Sequence, residues 1–515
     1  MFAENRRVKL LTLATCCFGL FMVLLDNTIV NVALPSMQRD LGASVSGLQL
    51  VVDAYLLVFA SLLLTAGALG DRFGRKRTFL AGLVVFTTGS AVCGLAPNLA
   101  TLVGARAVQA VGAAALLPST LAIIAATFPD PRERAQAIGL WSGMSGVALT
   151  AGPVLGGVLT DGFGWPSVFY ANVPVGVAAF LVARRTFAES RNPVARRLDL
   201  PGQLIGVVTL GSLTFGLIEG GARGWGSPLI VALLAVAAVG LAAFLAVESR
   251  RAEPMLDLRF FRDPSFAGAN AVSLLIGFAL LGFVFFNTLY LQVVQGYTPA
   301  RAGLATLPNT LSFVVVAPIA GRLASRFGYR VPVVAGTLCA GAALLLLAGV
   351  EVDTSYARLW WQFALLGTGL GLAISPTTAA AVAGMPSGQA GVASAVTTTG
   401  RQVGGALGIA VLGAVVASRF AAALPGRLAH LNLPPAARER LQHEAVRGVA
   451  AAVPGGGAVR RAVATAFVTG IQAGYLVAGI ALLCGAVVAL AFLRPGRDAA
   501  GTGPALTEEP TAGRT

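Results

Sequence analysis

The 515-residue chain is short of charge, lysine, histidine and paired cysteine. Only 11% of its residues are charged and 56% are hydrophobic, whereas a soluble domain carries about 25% charged residues. So few charges cannot cover a water-facing surface, which excludes soluble enzymes, nucleic-acid binders and disordered scaffolds. The five cysteines (Cys16, Cys17, Cys93, Cys339, Cys484) all fall in apolar runs without CxxC spacing. They read as small core side chains and not as disulfides or metal ligands. There is no GxxxxGK[ST] and no HExxH, and the only histidines are His430 and His443. Nothing therefore supports catalysis, a nucleotide motor, a metal or another cofactor.

What the chain has is apolar length. Mean hydropathy is +0.78, and a bilayer crossing takes about 20 apolar residues. Apolar runs broken by charge, glycine or proline predict fourteen spans. They lie near 10–34, 48–69, 78–96, 99–127, 136–160, 167–183, 201–219, 228–247, 266–292, 302–320, 331–350, 360–383, 389–418 and 462–493. The first run follows Arg6, Arg7 and Lys9 but is too long for a signal peptide and contains Asp26, so it counts as a span.

The net charge of +15 is chiefly a topology signal. With the N-terminus inside, 24 lysines and arginines fall on inner segments and four (Arg39, Arg223, Arg301, Arg358) on short outer loops. That bias places both termini in the cytoplasm. The outer segment 419–461 is the exception, with seven arginines. Its stretch Pro435–Ala450 reads equally as a surface helix on lipid headgroups or as a solvated hairpin. No basic groove interleaved with aromatics exists, so nucleic acid is not an expected partner.

Gly67-Ala-Leu-Gly-Asp71-Arg72-Phe73-Gly74-Arg75-Lys76 ends span two, and Gly321-Arg-Leu-Ala-Ser325-Arg326-Phe327-Gly328-Tyr329-Arg330 ends span ten, 254 residues later. Two equivalent turns eight crossings apart imply two six-span bundles with two spans inserted between them, the parallel-repeat plan in which rocking gives alternating access. The expected division is 1–200, an inserted pair 201–262, 263–497, and a disordered tail 498–515. Gly67, Asp71, Arg72, Gly74 and Arg75 read as a conformational latch, or simply as topology-setting charge.

These residues match a family. The GDRFGRK turn resembles the loop between spans two and three of the major facilitator superfamily. Leu25-Asp26-Asn27-Thr28-Ile29-Val30-Asn31-Val32-Ala33-Leu34-Pro35 is similar to the first-span signature of its fourteen-span drug:proton antiporters. Arg106-Ala-Val-Gln109-Ala110-Val-Gly112 resembles the fourth-span RxxQG motif, with Ala110 where glycine is usual. Gly146 with Gly152-Pro153-Val-Leu-Gly156-Gly157 resembles the fifth-span antiporter motif, and Trp165 with Phe169-Tyr170-Ala-Asn172-Val173-Pro174 matches the next segment. The resemblance implies an all-α polytopic protein of the bacterial cytoplasmic membrane, monomeric, that exports drugs in exchange for protons.

Charges inside spans are the candidate coupling groups. Each costs roughly 2.5–3.5 kcal/mol at the bilayer centre, so it survives by facing water, a partner or a bundle interior. Asp26, Asp53 and Arg106 all fall in the outer half of the first bundle. Asp26 reads as a carboxylate that alternates between a proton and a cationic substrate, or as a packing group bonded to Asn27 or Asn31. Changing solvation and partner is what would switch its proton affinity. Asp53 is either a second coupled acid or a solvated one. Arg106 with Gln109 can relay the proton or simply bond neighbouring helices. Arg401 lies near the edge of its span and can snorkel to the inner surface. Gly152-Pro153 with Gly156 and Gly157 permits a bend and close packing at a moving interface, or is an ordinary membrane kink.

The expected substrate surface combines Asn27 and Gln109 with Phe283, Phe286, Asn287 and Tyr290 of span nine. The aromatic stripe there serves either packing or a pocket for amphipathic cations. The pocket is expected between span nine and Asp26. The expectation is proton-coupled efflux of amphipathic, cationic drugs. The alternatives are a dedicated exporter of one endogenous product and a non-transporting membrane scaffold.

Overall fold

A computed structural model describes residues 2–190, 199–251, 257–383, 385, 390–429, 431, 434 and 457–494. Among these residues all regular structure is helical. With no water in the bilayer core, a segment must satisfy its own backbone, and a helix does so within one span. The N-terminal helices are α1 (Phe2–Leu41), α2 (Val45–Phe73), α3 (Arg75–Gly94), α4 (Leu99–Thr127), α5 (Pro131–Phe163), the short α6 (Ser167–Tyr170) and α7 (Asn172–Thr186). Then come α8 (Leu200–Arg223) and α9 (Pro228–Arg250). The C-terminal set is α10 (Pro264–Leu289), the short α11 (Pro299–Ala305), α12 (Leu307–Phe327), α13 (Arg330–Leu347), α14 (Tyr356–Ala383), α15 (Ala390–Ala429) and α16 (Gly457–Phe492). A π-helical turn, Tyr290–Val294, extends α10.

Thirteen helices are long and apolar enough to cross a membrane, and fourteen if the bent pair Gln136–Ala148 and Thr150–Phe163 of α5 forms one span. The chain is a multi-pass membrane protein. The 41° bend in α5 falls at residue 149, four before Pro153. That is the carbonyl a proline ring at 153 displaces and leaves without its N–H partner.

Helices α1–α7 pack on one another, and α10–α16 do likewise. Between them α8 lies against both α2 and α15, while α9 packs on α8 and turns Val231, Val239 and Leu241 outward. The repeated turns share a conformation. Gly74 (φ 111°) and Gly328 (φ 78°) both occupy the left-handed region that favours glycine. The preceding arginines, Arg72 and Arg326, lie over the rings of Phe73 and Phe327 at 5.5 and 5.2 Å.

Three boundaries differ from the expectation. Helix α15 runs on to Ala429, and α16 starts at Gly457, so the outer connection is shorter than 419–461. Arg401 is not at the edge of its span, because α15 begins at Ala390 and places it three turns inside. The stretch 435–450 and the tail 498–515 lie outside the described residues.

Candidate functional site

Helices α1 and α4 bring a carboxylate and a guanidinium together inside the N-terminal bundle. Asp26 is 0% exposed and Arg106 1%, and Arg106 Nη1 donates to Asp26 Oδ2 at 2.5 Å. Gln109, one turn along α4, donates from Nε2 to Asp26 Oδ1 at 2.9 Å and accepts from Arg106 Nη1 at 2.7 Å. Asn172 of α7 donates to the same Oδ1 at 3.0 Å and to Ser90 Oγ at 3.1 Å. Ser90 in turn donates to the carbonyl of Phe169 at 2.9 Å. The guanidinium also sits 4.1 Å from the ring centre of Tyr55. Buried ions are tolerated when their lone pairs and protons are this fully used. The contacts need close backbones. A Cβ on Gly89 would lie 2.8 Å from Gln109 Cα, and one on Gly112 would lie 2.7 Å from Phe86 Cα.

Asp53 is not part of this cluster. It is 1% exposed, and neither carboxylate oxygen has a hydrogen-bond partner. It follows Gln49 by one helical turn and so shares its face of α2. That face meets α15, where Gln49 Nε2 donates to the carbonyl of Ile409 at 2.6 Å.

A cavity of about 880 Å³ opens between the bundles, within the range of small-molecule sites. Thr28, Asn31 and Val32 of α1 form one wall, with Pro153 of α5 beside them. Phe283, Asn287, Thr288 and Gln292 of α10 and its π turn form another, and Asn309, Phe313 and Phe363 complete it. The cavity thus lies between span nine and the first span, on the opposite side of α1's helical face from the Asp26 cluster. Of the expected substrate residues, Phe283 and Asn287 line it. Asn27, Gln109, Phe286 and Tyr290 do not. Phe286 packs edge-on against Phe285 with ring centres 4.9 Å apart, and the Tyr290 hydroxyl donates to the carbonyl of Glu351 at 2.7 Å. Asn27 gives its carbonyl to Asn31 Nδ2 at 2.7 Å. Among the described lining residues none is charged, so no carboxylate draws a cation into this cavity.

One end of the interface between bundles is closed, the end where α1 finishes and α2 begins. There Gln292 Nε2 donates to the carbonyl of Val32 at 2.7 Å and the Ala300 amide to Asp161 Oδ2 at 3.0 Å. Gly157 abuts Ala300 closely enough that a Cβ would meet Pro299 O at 2.6 Å, and Gly156 meets Ile29 in the same way at 2.9 Å. Gly152 faces Thr28 of α1. The antiporter-motif glycines therefore seat α5 against α1 and α11. Beyond Gln292 lies an outer vestibule lined by Arg39, Asp161 and Tyr297.

The turn after α2 binds within its own bundle. Arg75 Nη2 pairs with Asp71 at 2.9 Å and Arg75 Nη1 reaches the carbonyl of Ala122 at 3.3 Å. Lys76 Nζ donates to the carbonyls of Arg184 and Phe187 at the end of α7. Gly67 approaches Pro118, and Arg72 contacts only Phe73 beside it in these interactions. The α9-side acid Glu219 pairs with Arg223 at 2.7 Å.

Sequence reasoning missed Asn172, Ser90 and Tyr55. Asn172 stands inside a quoted motif, and a lone amide in an apolar run was the available signal. Ser90 and Tyr55 carry no sequence mark that separates them from other polar residues in spans.

Residues 16–409 match the family model described as Major Facilitator Superfamily. A Mycobacterium tuberculosis (strain CDC 1551 / Oshkosh) protein named multidrug resistance protein Stp is 42% identical over 422 residues, covering 82% of this chain and 78% of that one. The tetracenomycin C resistance and export protein of Streptomyces glaucescens is 38% identical over 488 residues, 93% of this chain and 90% of its own. A solved bacterial homologue of the human lysosomal transporter Spinster, inward-facing and unoccupied, superposes with a TM-score of 0.64 at 17% identity, over 95% of this chain and 99% of that one. That likeness speaks to the fold alone.

Proposed function

Because the chain belongs to the major facilitator superfamily, we propose that it exports amphipathic small molecules across the bacterial cytoplasmic membrane in exchange for protons. Both termini lie on the cytoplasmic side in this reading, and residues 1–200 and 263–497 move as two bundles with 201–262 as an inserted pair. The structure then faces inward, since its closed end is the outer one. The carrying observation is the buried Asp26–Arg106 pair on a helix whose next turn, Thr28 to Val32, walls the cavity.

Protonating Asp26 removes the charge that holds Arg106 and weakens three converging hydrogen bonds. Helix α1 is then free to shift against α4 and α7, and the shift reaches the cavity through Thr28 and Asn31. Loss of the proton restores the pair. Asp53, enclosed without a partner on the face that meets α15, is a second proton carrier whose environment changes as the bundles rock. The glycines of α5 allow the outer face to close on α11. The turn around Asp71, Arg72, Gly74 and Arg75 steadies the inner end of the N-terminal bundle.

The test is transport in everted vesicles with a pH-sensitive dye, comparing wild type with Asp26→Asn. Substrate-dependent loss of the pH gradient is expected in wild type only. A gradient that collapses equally in both would refute coupling at Asp26. A dedicated exporter of one endogenous product is the second reading, favoured by the relative named for tetracenomycin C export, and transport of several unrelated dyes would exclude it.

A further inference from the structure

We infer that the central cavity selects uncharged, ring-bearing molecules that carry both hydroxyl and carbonyl groups, and discriminates against cations. The inference rests on the efflux reading only in taking this cavity as the substrate site.

A cation leaving water for an apolar enclosure needs a counter-charge. The nearest candidates are committed elsewhere. Both oxygens of Asp26 are held by Arg106, Gln109 and Asn172. Asp53 is buried on α2, and Asp161 belongs to the outer vestibule, where it accepts from the Ala300 amide. What the cavity does offer is ring surface. Phe283 stands edge-on to Phe363 with ring centres 6.0 Å apart, and Phe313 lies across from them. Such rings stack flat, extended ring systems whatever their charge.

The polar pattern decides which ring systems. Thr28, Thr288, Thr306 and Thr310 each spend their hydroxyl proton on a carbonyl of their own helix, at 3.0, 2.9, 2.8 and 3.2 Å. Their oxygens remain as acceptors only. Asn31 and Gln292 likewise commit their amide N–H groups to the carbonyls of Asn27 and Val32, leaving side-chain carbonyls. This wall suits hydroxyl donors on a ligand. An aromatic cation without N–H or O–H groups on its charged centre cannot use it. Opposite in character is Asn309, whose Nδ2 is enclosed without a hydrogen-bond partner. An unmade buried bond is costly, and a ligand carbonyl would complete it. Neutral polycyclic molecules with hydroxyls at the periphery and a carbonyl in the ring match both walls.

Purified full-length protein in lipid nanodiscs, titrated with neutral 2,6-dihydroxyanthraquinone and with the permanent cation ethidium, tests this directly. The anthraquinone is expected to bind saturably and ethidium about tenfold more weakly or worse. Asn309→Leu is expected to weaken the anthraquinone about fivefold, and Asn309→Asp, which brings a carboxylate to the cavity, to strengthen ethidium. Thr306→Val serves as a second variant should Asn309→Leu fail to fold, with the same loss expected. Equal binding of the two probes, saturable binding of neither, or an unchanged preference in the variants would overturn the inference. Transport in everted vesicles is read separately. The expected binding preference without movement of the anthraquinone would uphold this selectivity and refute efflux.

Discussion

Replacing Asp26 with asparagine should separate two roles of the same side chain. In the wild type three donors converge on Asp26 at 2.5, 2.9 and 3.0 Å, from Arg106, Gln109 and Asn172. An asparagine keeps the shape but removes the charge and turns an N–H₂ toward groups that are themselves donors. Arg106, 1% exposed, is left with Gln109 Oε1 at 2.7 Å and the Tyr55 ring at 4.1 Å. Breaking a buried pair from one side costs about 3–5 kcal/mol. The ring face can return only about 0.5–2 kcal/mol. Asp26→Asn is therefore expected to lower the thermal midpoint of the purified protein and to reduce proton-driven efflux to the passive rate. The double variant Asp26→Asn/Arg106→Gln removes the orphaned cation as well. It should recover most of the lost stability yet remain uncoupled, because no titratable group is left on α1. Efflux restored in the double variant, or a single variant as stable as wild type, would refute the reasoning.

Asp53→Asn should behave differently. It removes an acid whose oxygens have no partner, so the thermal midpoint should hold or rise while fewer protons move per substrate, read by dye and substrate flux together. Gln292→Ala removes the bond to the Val32 carbonyl at the wall between cavity and vestibule. One hydrogen bond is worth about 0.5–1.5 kcal/mol net, so the outward-open population should grow about two- to tenfold, seen as wider spin-label distances across the outer loops. Exchange of one proton for one uncharged molecule moves net charge. A potential of about 100 mV, worth about 2.3 kcal/mol, should then change the steady-state substrate gradient about 50-fold. Insensitivity to valinomycin-clamped potential would contradict that stoichiometry for an uncharged substrate.

Most of the helical plan was legible because a bilayer demands long apolar runs and penalises charge inside them. The same penalty marked Asp26 and Arg106, and both proved to be buried and paired. Repetition of the Gly74 and Gly328 turns was legible because a left-handed backbone restricts both positions to glycine. What escaped were features that depend on neighbours across space. Asp53 looked as shallow as Asp26, and only the helix packing shows that it faces α15 rather than Arg106. Phe286 and Tyr290 share a helix with Phe283 but point to other packing surfaces, which an aromatic stripe cannot reveal by itself. The acceptor-rich cavity wall was invisible because threonines in spans look alike until their hydroxyl bonds are known.

Protons released on substrate binding report most directly on whether buried acids exchange with substrate. Detergent-solubilised protein in weakly buffered solution, mixed with a transported substrate, should acidify the medium in step with occupancy. The Asp26→Asn/Asp53→Asn variant, binding the same substrate, should release none. Equal acidification by the two proteins would place the coupled proton elsewhere and contradict the exchange mechanism.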